Sequence, residues 1–137
     1  MGVASREHVL AAVRGGFAQL SHGKAAPIKR LKPGDRILFY SPREGMREGK
    51  PVQAFTAIGE VLEGEPRQVS EAFRPFRRDV RYFDAREAPI GPLLAHLSFS
   101  HGVAAWGQVF RRGAFRIERA DYRTIAVAMQ ALDHRDD

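Results

Sequence analysis

Residues 31–64, LKPGDRILFYSPREGMREGKPVQAFTAIGEVLEG, decide the fold class. The first five carry turn chemistry: Pro33 presets φ, and Gly34 takes a positive φ without steric cost. Residues 36–41, RILFYS, then read as a strand that ends in an aromatic ring and a hydroxyl. Residues 42–51, PREGMREGKP, are polar with Gly and Pro, and are expected to form a mobile loop. Residues 52–64 read as a second strand. They are apolar at nearly every position, which places this strand centrally, and Gly59 marks a bulge or a close contact.

Working outward, Ser5 is an N-cap for a helix beginning at Arg6. Val9, Leu10, Val13 and Phe17 follow helical spacing, and Gly15 with Gly16 forms the stop. A third strand is expected around residues 80–83. Residues 90–99, IGPLLAHLSF, read as a short helix with Pro92 in its first turn. Residues 113–118, GAFRIE, alternate apolar and charged side chains as a half-buried strand does. Asp121 is expected to cap a last helix with Ile125, Met129 and Leu132 on one face. The tail 133–137 is expected to fray. These elements do not alternate as regular βαβ units. An α+β fold is therefore expected, a small, strongly curved antiparallel sheet or barrel flanked by short helices, in one domain spanning residues 1–137.

The chain has 137 residues, 44% of them hydrophobic and 28% charged, ordinary values for a globular domain with its own core. It has no cysteine, which excludes a disulfide framework, thiolate metal sites and a thiol nucleophile. No apolar run approaches the roughly 20 residues of a membrane span. The start lacks a signal pattern, so a cytoplasmic location is expected. The net charge is +6, and of 22 cations only Lys24, Lys29, Lys32 and Lys50 are lysines. Arginine forks pair bidentately with phosphate and stack on bases, pointing to nucleic acid. A genome rich in G and C would give the same arginine excess, and composition does not separate the two.

The blocks GVASREHV, GGFAQLSHGKAAPIKRLKPGDRILFYSP, QAFTAIGEV, FRPFRRDV, PIGPLLAHLSF and WGQVFRRGAFRIERADYRTIAVAM resemble, in order and with compatible spacing, successive blocks of bacterial EVE-domain proteins. That family belongs to the PUA-like superfamily and is related to the YTH domains. The resemblance covers nearly the whole chain. It implies a small β-barrel flanked by helices, and binding of a modified or flipped nucleobase between aromatic side chains. It also implies that Phe17 forms one wall of that cage and that Ser5 faces it. The family usually has a longer first strand, with an aromatic residue before GVAS. It often has Cys where this chain has Ser21, and Trp where this chain has Arg36.

Residues 15–42 combine what a base pocket needs. Flat apolar faces stack, small residues let backbone approach, polar groups meet the base edge and cations hold phosphate. The pocket candidates are Ser5, Phe17, His22, Tyr40, Ser41, Phe55 and Trp106. Tyr40 and Ser41 end a strand beside a loop, where sites gather. For Phe17, Tyr40 and Phe55, packing in the core is the competing role; Trp106 either stacks on a base or covers the end of the barrel. Gln53 and Thr56 are further base-edge candidates. Lys24 and the arginine pairs Arg77 with Arg78 and Arg111 with Arg112 are the phosphate candidates, a solvated charged face being the alternative. His22 has no second ligand at metal spacing, and neither GxxxxGK[ST] nor GxGxxG occurs, so no metal or cofactor is expected. The expected partner is DNA or RNA carrying a modified base, with no membrane. Which modification, which polymer and which oligomeric state stay open. Two other readings also remain. His22 and Lys24 as acid and base on a phosphodiester would make an RNA-cleaving or base-modifying enzyme, and the same pocket could hold a free base or nucleoside.

Overall fold

A computed structural model describes residues 1–45 and 49–131. The chain begins with β1 (Gly2–Val3), α1 (Arg6–Gly15) and β2 (Phe17–Ala18), then a 3₁₀ turn, Ser21–Gly23, and α2 (Ala25–Lys29). The long strands β3 (Arg36–Arg43) and β4 (Pro51–Val61) follow, then β5 (Arg67–Gln68), β6 (Phe76–Tyr82) and β7 (Ala88–Pro89). Two 3₁₀ segments, Gly91–His96 and Trp106–Arg112, lead to α3 (Arg119–Ala128).

The fold is α+β, with a mixed sheet in the order β1-β3-β4-β6-β2; β5 pairs with β6 and β7 with β4. β3 and β4 are antiparallel, from Arg36 opposite Glu60 to Arg43 opposite Pro51, with register shifts after Phe39 and Ser41. The other edge of β4 is shared. Its first part takes β7 at Ala54 and Phe55, and its last part takes β6 at Gly59, Glu60 and Val61. Closure into a barrel is not seen: among the described residues the pairing path is open, ending at β1 and β2. Nor is the sheet wholly antiparallel, because β1 runs parallel to β3. A parallel pair needs a long crossover, and the segment carrying α1, β2 and α2 supplies it.

Side chains of β3 and β4 alternate between two apolar clusters. Leu38, Tyr40, Phe55 and Ile58 join Leu97, Phe110, Ile125 and Met129. Ile37, Phe39 and Ala57 join Val9, Leu20, Ile28 and Val80. With both faces covered, β4 has no reason to alternate polar and apolar residues, hence its continuous apolar run. Gly59 is a close contact: a Cβ there would fall 2.6 Å from the Arg81 carbonyl oxygen. At α1 the Ser5 hydroxyl accepts the His8 amide at 3.3 Å. Gly16 closes the helix at φ 69°, its amide reaching the Ala12 and Val13 carbonyls.

Several expectations are corrected. Residues 113–118 do not form a strand; they make a single bridge, Ala114 to Gly2, while the Phe115 amide donates to the Met1 carbonyl. β1 is too short to pair further, and the alternation instead lets Phe115 and Ile117 pack on the first cluster. Asp121 does not cap α3. It lies inside the first turn, buried, and its carboxylate accepts the Ser98 amide at 2.9 Å and the Ser98 hydroxyl. The helix expected at 90–99 is 3₁₀ over Gly91–His96. The expected loop 42–51 is shortened from both ends by β3 and β4, and its residues 46–48 lie outside the described residues, as do Leu132 and the tail. No helix among the described residues is long and apolar enough to cross a membrane.

Gly59→Ala forces a methyl group against β6 backbone. It is expected to lower stability by about 2 kcal/mol through overpacking, read as a lower denaturant midpoint at unchanged m.

Candidate functional site

The 3₁₀ turn Ser21–Gly23 is where distant parts of the chain meet. Ser21 stands at φ 48° and Gly23 at φ 82°. Gly23 is packed on Pro75, where a Cβ would fall 2.3 Å from the proline Cβ. On its other side, a Cβ on Gly113 would lie 3.2 Å from Ser21 Oγ. The turn is thus held between the start of β6 and the end of the Trp106–Arg112 segment. His22 is its middle residue, and Lys24 follows, exposed, at the N-terminal boundary of α2. Arg111 and Arg112, both exposed, immediately precede Gly113. The structure therefore brings these two arginines toward the turn, which no local spacing in the sequence reveals.

Phe17 stands next to this turn on β2. The Arg77 guanidinium lies 4.0 Å from the centroid of its ring. Arg77 is itself held, Nε donating to Gln19 Oε1 at 2.7 Å and Nη2 to Glu71 Oε1 at 2.9 Å. Gly15 leaves room for the ring: a Cβ there would fall 2.5 Å from Phe17 Cε2. Tyr82 fixes the backbone, its hydroxyl donating to the Phe17 carbonyl at 2.8 Å. The result is a half-buried ring in a set position with a cation on it. Gln19 was missed in the sequence. It lies two residues beyond Phe17, just past β2, and only the position of Arg77 against both shows that they share a site.

The other candidates are distributed differently. Ser5 is engaged as the α1 cap. Tyr40 and Phe55 are core residues, 2% and 0% exposed. The Tyr40 ring stacks on Phe110 at 4.2 Å between centroids and meets Phe55 edge-on at 5.5 Å. Ser41 is fully buried and shares a hydrogen bond with Thr56 at 2.7 Å. Trp106 is half-buried and packs edge-on to Phe110. These aromatic side chains belong to the cluster on the other side of β3 and β4 from Phe39 and Val9, and Phe17 is not among the residues of that cluster. Arg78 is removed from the expected phosphate track. Adjacent strand residues point to opposite faces, and Arg78 is buried, donating to the Leu31 and Leu62 carbonyls at 3.1 and 3.3 Å. It ties the segment after α2 to the segment after β4.

A mixed sheet with an arginine-braced aromatic beside a glycine-containing turn, and exposed cations around that turn, defines a class: a small α+β domain with a preformed, cation-rimmed aromatic surface. The chain belongs to the EVE-domain family, whose family model matches residues 2–128. It is 48% identical over 127 residues to a UPF0310 protein of Mycolicibacterium vanbaalenii, covering 91% of this chain and 88% of that one. It is 44% identical to the Bacillus licheniformis UPF0310 protein in the gntR 5' region, covering 91% and 86% of the two chains. With the UPF0310 protein YdcG of Bacillus subtilis the identity is 42%, over 94% and 90%.

Burial raises the Tyr40 phenol to about 12 and pushes the Tyr82 phenol up further. Both folded phenols hold their protons to higher pH than the unfolded chain does. Their contribution is complete below the ordinary tyrosine pKa near 10 and is lost as pH rises through the folded values. Denaturant midpoints are expected to hold up to about pH 9.5 and to fall between pH 10 and 12, with a shallower fall in Tyr82→Phe.

Proposed function

We propose that this protein binds nucleic acid and reads a modified or extruded nucleobase at the face built from Phe17, Gln19 and the Ser21–Gly23 turn. The observation that carries the reading is the Phe17–Arg77 pair set beside that turn, with Lys24, Arg111 and Arg112 exposed around it. In this reading the open sheet is the curved sheet of a PUA-like domain, and residues 1–137 act as one unit.

The division of labour follows from what each side chain is free to do. Phe17 offers a flat apolar surface whose position is already fixed, so a base stacking there loses little to ordering the ring. Arg77 acts as a positioning residue for Phe17 rather than as a phosphate ligand, because its donors are engaged by Gln19 and Glu71. Gln19 supplies polar groups for the base edge, a role that the sequence also gives to His22. Lys24, Arg111 and Arg112 hold phosphate by charge and set register rather than sequence. A methyl group on the base adds apolar area, so selectivity of roughly 1–2 kcal/mol per methyl is reasonable for such a surface. Tyr40, Ser41, Phe55 and Arg78 have no part in contact with the ligand; they hold the scaffold.

The test is a matched panel of short oligonucleotides, single- and double-stranded, unmodified or carrying 5-methylcytosine, 5-hydroxymethylcytosine or N6-methyladenine, at two salt concentrations. Selective binding to one modified base is expected, with a loss of about 1–3 kcal/mol in Phe17→Ala. Weak, unselective, salt-sensitive binding that ignores Phe17 would reduce the site to a basic surface. Arg112→Gln is expected to weaken binding to every oligonucleotide alike and to lower the salt slope by about one, leaving the base preference intact.

A further inference from the structure

β5 and β6 form a small hairpin, Arg67 opposite Arg77 and Gln68 opposite Phe76, and Phe73 stands in its connection. The Phe73 side chain is 97% exposed. Its backbone is at φ 67°, and that of the next residue, Arg74, is at φ 44°, a region that residues with a side chain seldom adopt. The connection is nevertheless well tied. The Arg74 amide donates to the Glu71 carbonyl at 2.8 Å, and Gln68 Nε2 donates to the Arg74 carbonyl at 3.0 Å. The Val69 amide donates to the Pro75 carbonyl at 3.0 Å. The exposed ring gains nothing from folding and the backbone strain opposes it, and neither is offset inside the domain. Strain of this kind, held by its surroundings, is characteristic of functional positions.

The hairpin's place says what the ring is for. Two residues beyond Phe73, Pro75 packs on Gly23 of the turn; two further on, Arg77 lies on Phe17; and Glu71, just before the bend, holds Arg77. The strained bend and the Phe17 surface therefore share one bracing network. Resting on the function proposed above, we propose that Phe73 is a second stacking residue, which takes the nucleobase adjoining the one recognised at Phe17. A lone ring, with Arg74 beside it and Lys24 on the neighbouring turn, lacks the contiguous apolar surround that a protein partner would need. One base face is satisfied by one ring, whatever the base. The expected ligand is thus a strand of at least two nucleotides with its bases unstacked at this point, and not a free nucleoside.

The experiment compares wild type with Phe73→Ala, Phe73→Trp and Phe73→Gly against two probes. One is the mononucleotide of the base preferred in the panel, and the other is a short single strand centred on it. In Phe73→Ala the oligonucleotide Kd is expected to rise about tenfold while the mononucleotide Kd is unchanged. Phe73→Trp is expected to keep oligonucleotide affinity. Phe73→Gly is expected to lose it to the same extent while its Tm stays level or rises, because glycine relaxes the positive φ. A stabilised variant with weakened binding is a combination that a structural role for the ring would not produce. Oligonucleotide affinity unchanged in Phe73→Ala overturns the inference and leaves the Phe17 surface standing. Equal losses for both probes also overturn it, by placing the ring in the primary pocket or the fold, as does a Phe73-dependent dimer whose oligonucleotide affinity is insensitive to the substitution. If wild-type binding is weak, unselective and insensitive to Phe17→Ala, the proposed function fails and takes this inference with it.

Discussion

Strand β4 runs between hydrogen-bonding neighbours on both edges and between apolar clusters on both faces. Few arrangements satisfy all four sides of an eleven-residue strand, and this one does so by sharing. β3 takes one edge; β7 and β6 divide the other. β6 comes close enough at Gly59 that no side chain fits, and its first part runs past the end of β4, pairing with β5 at Phe76 and Arg77 and with β2 at Arg78 and Asp79. Arg77 sits in that part, beyond the end of β4 and opposite Arg67 of β5, where its guanidinium lies on Phe17. The aromatic surface is thus a consequence of where β6 leaves the central strand.

This geometry also explains what was legible beforehand and what was not. The cap at Ser5, the stop at Gly16 and the strands on either side of the 42–51 connection were readable because each is a local rule acting on adjacent residues. The apolar run of β4 correctly announced a central strand, and the structure adds that both its faces are covered. Residues 113–118 carried a strand's alternation without its pairing, because alternation reports which side is buried and not whether a neighbour is long enough to pair with. Asp121 offered a capping side chain three positions inside the helix, and the Ser98 amide and hydroxyl claimed its buried carboxylate instead.

The aromatic residues were the harder case. Phe17, Tyr40, Phe55 and Trp106 are chemically interchangeable as stacking candidates, and only the register of β3 and β4 shows that Tyr40 and Phe55 belong to one cluster while Phe17 stands elsewhere. Arg77 and Arg78 make the same point in two residues. Adjacent in sequence and equal in charge, they are separated by the pleat: one braces a ring at the surface, and the other is buried among carbonyls. Phe73 left no distinctive mark in the sequence, since exposure is a property of the fold and not of the residue.

The contact between Ser21 and Gly113 joins an early and a late segment of the chain. Contacts of large sequence separation carry the highest loop-closure cost and are realised late in folding. The turn beside Phe17 therefore takes its final form only after β6 and the Trp106–Arg112 segment have docked. A partly unfolded chain has the same cations but no assembled turn. Charge is therefore a property of the chain before it folds, whereas the arrangement of the turn, Phe17 and Arg77 is a property of the finished domain alone.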